Sequence, residues 1–161
     1  MTGALNVGIS DWKVNKGEGT IVTYALGSCV GICLWDSVTQ IGGLSHIMLP
    51  DSKGVTAGAA TNRMKFADTA IPDMLKKMLG MGAGQARIKA KIAGGAQMFQ
   101  TSHEKFNIGD RNVVSVKDTL RQLGIPIIAQ DTGLNYGRTV FFTTGDGKVE
   151  VKSSAKGVRT L

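Results

Sequence analysis

The sequence predicts an α/β fold in which a mixed β-sheet, or a pair of sheets, carries two long helices within a single domain spanning residues 1–161. Three observations lead there. Short apolar runs rich in β-branched residues recur along the chain, bounded by turn-forming residues. Only two stretches show extended helical periodicity. Several runs are joined by hairpin-length connections, which a regular alternation of parallel strands and helices does not use.

Strands are predicted near 5–9, 19–24, 29–36, 40–48, 87–93, 126–130, 139–143 and 148–152. The run "DSVTQ", residues 36 to 40, separates two apolar segments and reads as a hairpin loop of intermediate length. The first helix is predicted over 62–80, where Met64, Ala67, Ile71, Met74, Leu75 and Met78 form an apolar stripe. Pro72 lies inside it and lacks a backbone donor, so a kink or a break is expected there. The second helix opens with Asp110 as its expected cap and carries Val113, Val116, Leu120 and Leu123 on one face. Gly124 and Pro126 supply its stop signal.

At 161 residues and 42% hydrophobic content the chain can bury one substantial core without disulfides or metals. No apolar run is long enough to span a membrane, so direct membrane insertion is not expected. The N-terminus lacks the basic start and apolar stretch of a signal peptide. Two cysteines four residues apart on one strand do not make a disulfide framework, and a reducing, cytoplasmic setting is the expectation. The net charge of +7 points to an acidic partner. Basic residues are spread along the chain with few aromatics between them, and no zinc-finger, helix-turn-helix or RNA-recognition pattern is present, so nucleic acid is not the expected partner.

The densest chemistry lies in "GSCVGICLWDSVTQIGGLSHIMLP", residues 27 to 50. If Asp36 pairs with Ile41 across the hairpin, Gly31 stands opposite His46. Cys29 shares the face of Gly31, which makes Cys29 and His46 diagonal neighbours about 7–8 Å apart at the backbone. Gly31 leaves room between them. A thiol beside an imidazole is expected to ionise to the attacking thiolate. Amides of the Gly27-Ser28-Cys29 turn are candidate oxyanion donors. A third polar group commonly orients such a histidine, and Thr23 is a candidate whose role spacing alone does not fix.

The same residues admit other readings. Cys29 as a buried thiol with His46 as a satisfied core histidine is as good an account on composition alone. Gly27-Ser28-Cys29-Val30-Gly31 matches a nucleophile elbow with cysteine for serine, but the chain is short for an α/β-hydrolase and the histidine follows too soon. Cys29, Cys33, His46 and His103 supply a ligand count suited to zinc, yet the spacing on a strand is poor for chelation and no metal is expected. In "AGGAQMF", Gly94 and Gly95 suit either a turn or close approach to a substrate, and Met98 and Phe99 suit a docking tip for a partner.

Six separated segments, "GSCVGICLWD", "SHIMLPDS", "FADTAIPDML", "KAKIAGGAQMF", "NIGDRN" and "AQDTGLNYGRTV", together resemble the CheD family of bacterial chemoreceptor glutamine deamidases, in the family's order from about residue 6 to residue 152. The resemblance implies an α/β sandwich similar to toxin-type deamidases. It implies Cys29 as nucleophile, His46 as general base and acid, and Thr23 as orienting residue, without a metal or organic cofactor. The substrate it implies is a glutamine side chain in the cytoplasmic helical region of methyl-accepting chemotaxis receptors. It also implies a CheC-type phosphatase as partner, and a non-catalytic module that binds such a phosphatase is the alternative function. Two positions depart from the family's usual residues: Ala25 and Leu134 stand where glycine is common.

Overall fold

The computed structural model describes residues 4–53, 62–98 and 107–161. Within them run β1 (Leu5–Val7), β2 (Asp11–Lys16), β3 (Thr20–Leu26), β4 (Val30–Asp36), β5 (Ile41–Ile47), α1 (Ala67–Gly80), β6 (Lys89–Gly94), α2 (Ile108–Gln122), β7 (Ile127–Thr132), β8 (Arg138–Thr143), β9 (Val149–Ser153) and β10 (Gly157–Thr160). The strands form two five-stranded sheets, a central one in the order β2-β5-β4-β6-β7 and an outer one in the order β1-β3-β8-β9-β10. Both sheets are mixed: β6 and β7 pair in parallel in the central sheet, and β1 and β3 do so in the outer one.

Strand alternation divides the core into two layers. Val30, Ile32 and Leu34 of β4 face the helices and pack with Ile71, Met74 and Met78 of α1 and Val116 and Leu120 of α2. Cys33, Leu44 and Ala93 face the other way, against Ile21, Val140, Phe142 and Val151 of the outer sheet. The result is three layers, helices, central sheet and outer sheet. Each fully buried aliphatic or aromatic side chain contributes roughly 1.5–3 kcal/mol of transfer free energy, which makes these two interfaces the main source of stability.

The central hairpin has the anticipated register, with Asp36 opposite Ile41 and Gly31 opposite His46. Asp36 locks its far end. The buried carboxylate accepts from the Arg87 guanidinium and from the amides of Gly84 and Val38. Those contacts, the arginine first, hold its acid form well below the usual carboxylate range.

Several local expectations are corrected. The first helix begins at Ala67, because Arg63–Lys65 is a separate 3₁₀ turn and Phe66 is extended. The helix does not break at Pro72. It runs on to Gly80, with Ile71, Met74, Leu75 and Met78 all buried on its apolar face. The second helix is capped by Asn107, whose side chain accepts from the Asp110 amide at 3.0 Å, so Asp110 is the capped residue and not the cap. Its end follows the sequence signal. Gly124 has φ +72°, and the Ile125 amide returns to the Leu120 carbonyl at 2.9 Å. Two strands escaped the sequence reading, β2 and β10: the first alternates only Trp12 and Val14 with polar residues and is half-buried along most of its length, and the second is exposed throughout.

The two departures from the family's glycines both fall at left-handed backbone, φ +60° at Ala25 and at Leu134. Ala25 sits in a bulge where β3 spends one more residue than β8 between Thr23 and Leu26. Leu134 is 62% exposed and contributes its carbonyl to the Gln97 amide, so little packing depends on its side chain. Left-handed backbone costs an ordinary residue about 1–2 kcal/mol, and glycine adds back about 0.5–1 kcal/mol of chain entropy. Leu134→Gly is therefore expected to stabilise the protein by about 0.5–1 kcal/mol. Urea unfolding provides the check, and a lowered midpoint with unchanged slope contradicts the assignment of strain.

Candidate active site

The site forms where the two sheets meet at the start of β4. Thr23 points inward from β3 of the outer sheet, and His46 points toward it from β5 of the central sheet; both are fully buried. The Thr23 hydroxyl lies 2.7 Å from His46 Nδ1 and also 2.7 Å from the Val7 carbonyl. A carbonyl only accepts, so the hydroxyl donates its one proton to Val7 and accepts from His46. Nδ1 therefore carries the imidazole hydrogen, and Nε2 presents a lone pair. Among the described residues Nε2 has no hydrogen-bond partner.

Burial drives the His46 pKa down to about 4, so the ring is neutral near pH 7. Cys29, half-buried in the turn between β3 and β4, has its thiol pushed up by desolvation, partly offset by its own backbone N–H. The expected thiolate–imidazolium pair is thus corrected. Burial favours the neutral form of both groups, and among the described residues Nε2 makes no hydrogen bond to the thiol. A neutral acceptor and a neutral thiol suit proton transfer during attack, with the imidazole as general base.

The turn that carries Cys29 is clamped from behind. The Cys29 carbonyl accepts from the Gly95 amide at 2.8 Å, and the Gly27 carbonyl accepts from the Ala96 amide at 2.9 Å. Gly94 allows this contact, since a Cβ there would stand 2.3 Å from the Cys29 carbonyl oxygen. The Gly27 amide donates to the Ala25 carbonyl at 3.1 Å, which leaves the Ser28 and Cys29 amides as the turn's uncommitted donors among the described residues. Gly94 and Gly95 are buried against Cys29 and α2, so no partner can touch them; their expected place in a docking surface is corrected to a supporting one. Met98 is 46% exposed beside Gly27. Phe99 and His103 lie outside the described residues.

Asn112 was missed in the sequence. It is fully buried on α2, and its Nδ2 donates to the Ser28 carbonyl at 2.8 Å and to the Met48 carbonyl at 3.1 Å. One amide group thus ties the residue before Cys29 to the residue two after His46. The available signal was "NIGDRN": Asn107 caps the helix, Gly109 admits the carbonyls of Gly95 and Ala96, and Asn112 makes the tie. The rim segment "DTGLNYGR" also has an internal anchor. Arg138 is buried, paired with Asp131 at 3.1 Å, and set over the Tyr136 ring at 4.3 Å. Among the described residues no three His, Cys, Asp or Glu side chains are grouped to hold a metal ion. No described helix is long and apolar enough to cross a membrane. Cys33 is buried between the sheets, and desolvation pushes its thiol up strongly.

The buried neutral histidine has a consequence for acid stability. The unfolded chain binds a proton on His46 near pH 6.5, whereas the folded protein resists it until about pH 4. The unfolded state holds more protons in that window, so stability falls as pH drops through it, by roughly 3 kcal/mol in total. Asp36 acts lower, its stabilisation being lost only as pH falls below about 4. His46→Gln should flatten the upper window and keep the lower one, as read from urea midpoints across the acid range. An unchanged loss between about pH 6.5 and 4 in that variant places the sensitive group elsewhere.

Residues 48–153 match the family described as CheD chemotactic sensory transduction. A protein of Caldanaerobacter subterraneus subsp. tengcongensis is 48% identical, covering 98% of this chain and 97% of its own length. One from Clostridium novyi is 49% identical with the same coverage, and one from Moorella thermoacetica is 46% identical over 98% of this chain and 95% of its own. Each is called a probable chemoreceptor glutamine deamidase CheD. With a match of this extent, continuous across both sheets and both helices, the chain belongs to the CheD family.

Proposed function

We propose that this protein hydrolyses glutamine side chains of methyl-accepting chemotaxis receptors to glutamate, with Cys29 as nucleophile, His46 as general base and acid, and Thr23 as orienting residue. The observation that carries the reading is the Thr23 hydroxyl between the Val7 carbonyl and His46 Nδ1, which leaves Nε2 as a buried acceptor without a partner among the described residues, on a residue paired with Gly31, two positions after Cys29. The relatives' names supply the substrate class.

The steps follow from these groups. Nε2 takes the Cys29 proton as sulfur attacks the glutamine Cδ, and the amides of Ser28 and Cys29 receive the developing oxyanion. The tetrahedral intermediate collapses as imidazolium His46 returns the proton to the departing ammonia, leaving a thioester. Neutral His46 then removes a proton from water, which attacks the thioester and releases glutamate and the thiol. No metal or organic cofactor enters this sequence.

The reaction is tested by incubating the protein with a receptor cytoplasmic fragment and reading a gain of about 1 Da per glutamine by peptide mass spectrometry, the mass of NH₂ exchanged for OH. Cys29→Ala is expected to abolish the gain, His46→Ala to slow it by roughly a hundredfold or more, and Thr23→Val to slow it less. Turnover by folded Cys29→Ala removes the mechanism. Phosphatase binding with no mass change in the wild-type protein supports the binding-module alternative.

The partner surface is assigned to the exposed rim beside the turn, with Met98 as apolar anchor for both the receptor and a CheC-type phosphatase. The +7 charge favours encounter with acidic receptor helices on the cytoplasmic side of the membrane. Met98→Glu is expected to weaken binding of both partners by about tenfold or more. Equal binding by wild-type and variant protein, with unchanged thermal unfolding, moves the docking site off Met98.

A further inference from the structure

A cavity lies toward the opposite end of β4 from the Cys29 turn. Trp35 lies six positions after Cys29, which is about 20 Å along a strand, so the two places do not overlap. The cavity measures about 260 Å³ and opens between the two sheets beside β6. Its buried wall is apolar, made by Phe142 and Val149 with the half-buried Trp35, and the exposed Ile128 stands at its edge. Trp35 gives its indole N–H to the Thr144 carbonyl at 2.7 Å, so the ring offers the cavity a face and not a donor. Gly147 packs its backbone against one side of that ring, and the rest of the indole lines the cavity. A Cβ at position 147 would stand 2.4 Å from the indole ring.

The mouth is basic. Lys89 and Lys91 project from alternate positions on β6, and Arg87 precedes them. Arg87 is committed to Asp36. The Lys91 ammonium donates to the Gly147 carbonyl at 3.0 Å and to a backbone oxygen of Leu161, the final residue of the sequence, at 2.8 Å, which leaves one of its three protons unused. Lys89 is exposed and has no ion-pair partner among the described residues. Asp146 is the one acidic group of the lining, and its carboxylate already accepts from the Lys148 amide. Lys89 and the remaining proton of Lys91 thus face a single carboxylate at the mouth of a pocket with an apolar wall.

We infer that this cavity binds a small organic carboxylate with a flat apolar body, the ring or branched chain lying on Trp35 and the carboxylate held by Lys89 and Lys91. The volume limits the guest to roughly the size of a single substituted ring, at the small end of ligand sites. Charge-assisted hydrogen bonds from two lysines at the entrance select the anion over its neutral analogue. This site does not use Cys29, His46 or Thr23, so the inference stands apart from the deamidase reading.

The test is a titration of tryptophan fluorescence in Trp12→Phe, which leaves Trp35 as the only tryptophan. Benzoate is the probe, with benzyl alcohol and inorganic phosphate as controls and amide NMR shifts to locate binding. A saturable change with benzoate is expected, weaker by about tenfold for benzyl alcohol and for benzoate with Lys89→Gln. The amide shifts should centre on Cys33, Trp35, Lys91 and Gly147. Absence of saturation, equal affinity for benzyl alcohol or for phosphate, an unaltered response in folded Lys89→Gln, or shifts centred on the Cys29 turn overturns the inference.

Discussion

The tautomer and orientation of the histidine at the candidate active site depend on one hydrogen bond that crosses between the two sheets, from His46 Nδ1 to the Thr23 hydroxyl. Because the hydroxyl's own proton goes to Val7, the threonine acts only as an acceptor toward the ring. The short parallel pairing of β1 with β3 is what brings that carbonyl into reach, with Val7 opposite Thr23. A strand of three residues thereby sets which nitrogen of a histidine in the other sheet carries the hydrogen.

The thiol's side of the site is built differently. Cys29 lies in a turn, where the backbone has no ladder of its own, and the turn is fixed by contacts from three places. Gly95 and Ala96 hold its carbonyls, Asn112 reaches it from α2, and the carbonyl of Leu134 in turn holds the segment after Ala96 through Gln97. Glycines at 94 and 109 are required by the close packing of these backbones. The rigid histidine and the braced turn thus belong to separate supports, joined by Asn112.

Short-range features were legible in the sequence. The hairpin register followed from loop length and strand alternation, and it placed Gly31 opposite His46. The Gly124 stop followed from local chemistry. Contacts between layers were not legible. Spacing could nominate Thr23 but not bring it to His46, since the two residues lie on different sheets whose approach is a property of the whole sandwich. The same limit hid Asn112, a polar residue beside an apolar helix face, and misjudged Gly94 and Gly95, whose function is to let backbones touch. Pro72 and Asp110 were misread for a smaller reason: packing carried the helix through the proline, and the asparagine three residues earlier took the cap.

The pairing of β3 with β8 joins Thr20 to Thr143, so the strand that carries Thr23 finds its main neighbour more than a hundred residues later in the chain. The β4-β5 ribbon, by contrast, is closed by one short turn, with Asp36 opposite Ile41, and β2 joins it from within the first fifty residues. Loop-closure entropy makes the local ribbon the early-forming part and the long-range sheet the late one. During synthesis from the N-terminus, His46 and Cys29 emerge well before the strand that holds Thr23 in place has been made. A nascent or truncated chain lacking β8 carries Cys29 and His46 without the strand pairing that holds Thr23 against the imidazole, and the arrangement is complete only with the outer sheet.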